Sequence, residues 1–243
     1  MSWRNPVLDH ELDLPPPYGL VTLRESGDAF AHACAIAGER GAGTLVWVRR
    51  HDLAEFAVVL EPEEDFAQAR RALYAGMNAL ADALAAHAPP SQPVTFDWPD
   101  AIRVDGVLVG GGRLGWPEGT CDDETPAWLV FSAMIRTSVV DGPGPGLRPT
   151  TGALDELGFE TADAGEIITS FSRHLMAAFH EWNEDGFAGL AGQWLNRLPR
   201  GERDARIDDS GDLLLDGEPN RRRLGGVLAS PTWLDPSTGA PWL

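Results

Sequence analysis

The chain is organised around the stretch Val94 to Trp116, VTFDWPDAIRVDGVLVGGGRLGW. Two β-type runs flank Asp105-Gly106, the strongest short-range signal for a two-residue hairpin turn. Trp98-Pro99-Asp100 and Gly110-Gly111-Gly112-Arg113 then face each other across the hairpin. Glycine weakens a strand through backbone entropy and the lack of a side chain to pack. Three in succession therefore point to a close approach by a ligand or another backbone. A bulge or tight packing is the purely structural alternative.

Working outward, a helical segment from about Glu63 to His87 precedes the hairpin and stops at Ala88-Pro89-Pro90. Before it, the β-rich runs Gly43 to Val48 and Phe56 to Leu60 bracket a basic cluster, Arg49, Arg50 and His51, at a strand end. An alanine-rich helix to about Gly38 starts from the N-cap candidates Ser26 and Asp28. Downstream, Trp128 to Val140 is an apolar run fit for a central strand. The Gly/Pro-rich loop Asp141 to Pro149 leads into helices at about Ala164 to Trp182 and Phe187 to Leu195. The chain divides into an N-terminal arm (1–17), a main domain (18–199) and a small C-terminal β domain and tail (200–243). That last part carries a Ser210-Gly211 turn and a tryptophan- and proline-bearing tail, which reads as an irregular segment pinned by aromatic burial.

With 243 residues, 43% of them hydrophobic, the chain can bury a sizeable core. The net charge of −18 argues against nucleic acid or an anionic membrane as partner. No run of 18 apolar residues and no signal peptide is visible, so the expected location is cytoplasmic. Cys34 and Cys121 form no CxxC pair, and His174 and His180 are not at metal-binding helical spacing, so no metal site is expected. All 19 basic residues are arginine. No step that needs a lysine amine can come from this chain.

The Trp-Pro-Asp step, the turn, the Gly-Gly strand and the long apolar strand resemble the biotin/lipoate protein ligase superfamily. LVFSAMIRT (129–137), TGALDELG (151–158) and EDGFAGLAGQWLNRL (184–198) stand where that family has its next strand, its Thr-Ser-Leu segment and its last helices. A bacterial subgroup of the superfamily also shares the proline-rich start and the C-terminal extension. The resemblance implies an α/β (α+β) fold of the class II aminoacyl-tRNA synthetase and biotin protein ligase type. That fold is a mixed sheet flanked by helices, followed by a small C-terminal β appendage. It also implies a small acyl acid or acyl-adenylate as ligand, ATP with biotin or lipoate as cofactor and substrate, and a biotinyl or lipoyl carrier domain or acyl carrier protein as partner.

The chain departs from the family at the chemical centre. The family's lysine before Trp-Pro corresponds to Asp97, its Asn to Asp100, and the Asn of its next strand to Arg136. The family's Arg- and Gly-rich adenylate loop is replaced by His51 to Glu55. The catalytic candidates are therefore Asp97 and Asp100 as proton acceptors, with Arg113 and Arg136 as anion contacts, because guanidinium binds carboxylate and phosphate bidentately. Arg49, Arg50, Trp98 and Gly110 to Gly112 are the ligand-binding candidates. Asp97 and Arg136 also read as a swapped ion pair. Two functions follow: acyl transfer to a carrier lysine, or a non-catalytic binding or regulatory role toward an acyl carrier.

Overall fold

The computed structural model describes residues 12–140, 144, 147–159, 163–199, 205–215 and 221–243. Most of the expected arm (1–11), much of the 141–149 loop and the 200–204 link lie outside them. The elements run β1 (Gly19–Leu23), α1 (Ala29–Arg40), β2 (Thr44–Arg49), β3 (Leu53–Leu60), α2 (Phe66–Ala69), α3 (Ala72–His87), β4 (Val94–Asp97), β5 (Ala101–Val104), β6 (Val107–Gly115) and β7 (Leu129–Arg136). They continue with α4 (Ala164–Asp185), α5 (Phe187–Leu195), β8 (Ala205–Ile207), β9 (Leu213–Leu215), β10 (Leu234–Asp235) and β11 (Ala240–Pro241).

Seven strands form one mixed sheet in the order β1-β2-β3-β7-β6-β5-β4. Only β1 and β2 pair in parallel; every other neighbour is antiparallel. Side chains alternate across each strand, so β2 sends Leu45 and Trp47 to one face and Val46 and Val48 to the other. On the front face Ala29, Ala33 and Ala37 of α1 pack against Val46, Val48, Ala57, Val59 and Val130. The back face is closed by α3, α4 and α5 around the main core. Alanine-rich α3 is slim and buried nearly all round, which fits its position between the sheet and α4. Its amphipathic neighbour α4 buries one stripe, Ile168, Phe171 and Leu175, and is N-capped by Asp163 accepting from the Glu166 amide.

Several local readings change. β1 was not expected; exposed on much of its length, it is recruited by pairing with β2 rather than by its own pattern. The 63–87 helix is two helices broken at Arg70 and Arg71, where Arg71 turns its side chain to Glu64, the Gln68 carbonyl and the Asp209 carbonyl. β3 starts at Leu53, not Phe56, so only residues 50–52 join it to β2. The first run of the key hairpin is itself folded at Trp98-Pro99-Asp100 into β4 and β5, with Asp97 opposite Ala101 and a cis Trp98–Pro99 peptide. The Asp105-Gly106 turn forms as read, both residues having positive φ (49° and 80°) as a type I′ turn requires. The C-terminal β pieces are two hairpins. β8–β9 packs against α5, while β10–β11 lies against β6 and β7.

Phe131 of β7 is fully buried, stacks on Phe171 of α4 at 5.6 Å, and joins the sheet to the helical layer. Substituting Phe131→Ala is expected to lower the unfolding free energy by about 3–5 kcal/mol in urea titrations. A loss under about 1 kcal/mol would remove Phe131 from that role.

Candidate active site

β6 occupies the centre of the candidate site, paired on one side to β5 (Ala101 to Gly111, Ile102 to Gly110) and on the other to β7. The register shifts between Ile102 and Arg103, and this bulge sends the three glycines to different surroundings. A Cβ on Gly110 would meet the Met134 carbonyl of β7, and one on Gly112 would meet Phe131 and Met77 in the rear core. Gly111 alone looks forward. A Cβ there would lie 2.1 Å from the Asp100 carbonyl oxygen and 2.4 Å from Cδ1 of Trp233.

The Trp-Pro-Asp turn does meet the glycines, through the Gly112 amide donating to the Asp100 carbonyl at 2.9 Å. Its two carboxylates separate. Asp97 sits half-exposed near the sheet edge and receives Arg103 Nε at 2.6 Å, so its partner is Arg103 and not Arg136. Asp100 is buried and accepts from the Thr232 amide at 3.2 Å and the Thr232 hydroxyl at 2.6 Å. Burial pushes its pKa from 3.8 up to about 6, against the opposing pull of the Thr232 hydrogen bonds. Trp98 points backwards, its Nε1 donating to the Tyr74 hydroxyl at 3.1 Å.

The forward-facing cations collect around β3, β6 and β7. Arg113 is largely buried, lies 3.9 Å over the Phe30 ring of α1, and reaches Asp28, the α1 N-cap, at only 3.7 Å. Its Nε has no hydrogen-bond partner among the described residues. Burial lowers its pKa, opposed by Asp28 and Glu55. Glu55, itself buried in β3, accepts from the Ala29 amide at 2.9 Å and so satisfies the N-terminus of α1. Arg136 is buried at the end of β7, donates Nη2 to the Pro241 carbonyl at 2.7 Å, and leaves Nε without a partner among the described residues. Arg50 grips Asp52 through two hydrogen bonds and approaches Glu55 at 3.9 Å, whereas Arg49 lies over Trp47.

The structure thus brings Asp100, Gly111, Arg113 and Arg136 onto one sheet face and places Asp97 near its edge. Glu55 and Trp233 were not singled out in the sequence. A carboxylate inside the apolar run LAEFAVVL is a readable signal for Glu55; nothing local marks Trp233 beyond aromatic burial. Cys34, beside Arg113, has its pKa raised by burial to about 11, which suits a packing role and not a nucleophile. Among the described residues no cluster of His, Cys, Asp and Glu could hold a metal, and no helix is long and apolar enough to cross a membrane. A groove of about 780 Å³ lined by Tyr18, Glu64 and Trp182 among others includes none of the hairpin residues.

A mixed seven-stranded sheet with a helical layer behind it, and a Trp-Pro turn set against a Gly-Gly strand, is the architecture of the biotin protein ligase fold. Residues 14–196 match the Biotin/lipoate A/B protein ligase family, and the chain belongs to that family. A similar solved structure is a biotin protein ligase-like protein of unknown function from a Silicibacter species, with a TM-score of 0.75 and 26% identity over 87% of this chain and 96% of that one. Biotin protein ligase from Aquifex aeolicus in complex with biotin and ATP gives 0.62 and 14% over 85% and 95%. The Leishmania major enzyme in complex with biotinyl-5-AMP gives 0.52 and 13% over 86% and 99%. At those identities the last two share the fold alone. No curated protein matches the chain.

Because the folded state binds the Asp100 proton more tightly than the unfolded chain, this group adds stability as pH falls from about 6 towards 3.8, and that contribution is lost as pH rises through about 6. Asp100→Asn should flatten this profile. The wild-type advantage over the variant in chemical unfolding is expected to be larger near pH 4 than at pH 7.5, by at most about 3 kcal/mol. A difference that does not vary with pH would contradict the assignment.

Proposed function

We infer that the protein binds a small acyl acid or its adenylate on the front face, between the N-terminus of α1 and the Trp-Pro-Asp turn, and passes the acyl group to a lysine of a carrier domain. The observation that carries this reading is Arg113, a largely buried guanidinium held by an aromatic face and a 3.7 Å carboxylate, with its Nε unpartnered among the described residues. A desolvated cation with spare donors suits a carboxylate or phosphate oxygen. The family's structures with biotin, ATP and biotinyl-5-AMP support an anionic acyl ligand of this class.

In the transfer step the acceptor amine attacks the acyl carbon of the mixed anhydride. The new C–N bond forms, the C–O bond to phosphate breaks, and AMP leaves with the bonding electron pair. Arg113 offsets the charge that accumulates on the leaving phosphate, and Asp100 takes the proton released by the amine. With a pKa raised to about 6 in the ligand-free protein, that carboxylate is already ionised at neutral pH and free to accept a proton. Asp97 is held by Arg103 and suits the role less well. Because the chain lacks lysine, the acceptor amine comes from another protein, and acylated lysine in an assay reports on the carrier alone.

Thermal shift with biotin, lipoate, octanoate and non-hydrolysable acyl-adenylate analogues tests binding. A ligand at 100 times its dissociation constant stabilises the native state by about 2.7 kcal/mol. Arg113→Ala should abolish the shift and slow carrier acylation by roughly 10²–10³-fold. Unchanged binding and transfer would remove Arg113 from the site, and binding without transfer to any carrier would leave the non-catalytic role.

A further inference from the structure

Three separate ties fasten the segment 231–242 to the front face, and each lands on a residue of the candidate site. Thr232 donates its amide and hydroxyl to Asp100. Trp233 donates Nε1 to the Gly112 carbonyl at 2.9 Å, with its indole against the bare Gly111 backbone. Arg136 donates to the Pro241 carbonyl. We propose that this segment is an internal occupant of the acyl slot: Trp233 fills the space over Gly111 that the acyl group takes, and the segment leaves the face when ligand enters.

Half of the segment's twelve residues are exposed, and Trp233 and Pro241 are its buried ones. Trp233 packs in a small cluster of its own, Ala101, Leu108, Met134 and Leu234, separate from the main core. The hairpin that carries it has only two residue pairs, Leu234–Pro241 and Asp235–Ala240. None of the β5–β6 or β6–β7 ladder pairs involves it, so its departure leaves the seven-stranded sheet intact. What it uncovers is a glycine floor, apolar walls, the Gly112 carbonyl as acceptor, the Asp100 carboxylate and the Arg136 guanidinium. Of these, the Arg136 guanidinium suits a carboxylate or phosphate oxygen of the ligand, and the Gly112 carbonyl suits an N–H donor.

The occupant also defines the ligand. A slot that accepts a flat fused ring with one N–H aimed at the Gly112 carbonyl suits an acyl group bearing a ring and an N–H donor. A linear alkyl chain leaves that carbonyl unpaired. The inference rests on the acyl-binding reading above and adds to it the regulation and ligand class of the same site. An occupied slot lowers apparent affinity by the fraction of molecules in which the segment is displaced.

The test uses the full chain as wild type, Trp233→Ala and Arg113→Ala, with non-hydrolysable biotinyl- and octanoyl-adenylate analogues titrated by calorimetry. Trp233→Ala should bind both analogues at least about tenfold more tightly than wild type, by a similar factor, with the biotinyl analogue the tighter ligand of each protein. In wild type, saturating biotinyl analogue should speed hydrogen exchange at the Thr232 amide, bonded to Asp100 across the face. This second measurement decides the matter if Trp233→Ala fails to fold. Equal or weaker binding by Trp233→Ala, or ligand binding with the Thr232 amide still protected, overturns the occupant. Tighter absolute binding of the octanoyl analogue than of the biotinyl analogue overturns the ring assignment. Binding that Arg113→Ala abolishes but Trp233→Ala leaves unchanged removes this inference alone, whereas no binding to either wild type or Trp233→Ala removes the acyl-binding reading with it.

Discussion

Strand β6 packs tightly on both faces at adjacent residues. At Gly112 any side chain would run into Phe131 and Met77, within 3 Å on the rear face. At Gly111 it would run into the Asp100 carbonyl and the Trp233 indole in front. The absence of two side chains therefore lets the helical layer close from behind while the Trp-Pro-Asp turn and the C-terminal hairpin close from the front. Alanine at either position forces backbone or aromatic groups apart, and the layers on both sides register the change.

Electrostatics at the site follow from arginine being the only basic residue besides histidine. A guanidinium keeps its charge when buried, unlike an ammonium, which sheds its proton readily in an apolar setting. Arg113 and Arg136 therefore remain cations despite the downward pull of burial on both. The acids around them are already engaged, Glu55 with the α1 N-terminus and Asp52 with Arg50. The front face consequently keeps cationic donors in a protein whose overall charge is strongly negative.

Patterns within short windows made most of this legible. The Asp105-Gly106 turn, the apolar run of β7, and the stripes of α4 and α5 are local signals, and each element formed where the sequence placed it. β1 was not legible because its order comes from a partner strand, and the break at Arg70 and Arg71 was not because nothing local marks it and one of the partners Arg71 finds there, the Asp209 carbonyl, is remote in sequence. In the site, the meeting of the Trp-Pro-Asp turn with the glycines was readable. The direction in which each glycine faces was not, since it depends on a bulge between β5 and β6. Nor could spacing reveal that Asp97 pairs with Arg103 and leaves Arg136 to a carbonyl at the far end of the chain.

The strand order β1-β2-β3-β7-β6-β5-β4 divides the sheet into two halves, each made of strands close in sequence. β7 is the seam, pairing Leu53–Leu60 on one side and Gly110–Gly115 on the other. One half is the β1-α1-β2 crossover with β3 and the other the β4-β5-β6 meander, both short-range in sequence, but neither has a complete rear face until Leu129 to Arg136 is inserted between them. Closing that seam means joining β3 and β7 across the whole length of α2, α3 and the hairpin, and such long loops slow folding more than they weaken the finished structure. The longest-range pairing in this sheet is therefore the one made by its middle strand.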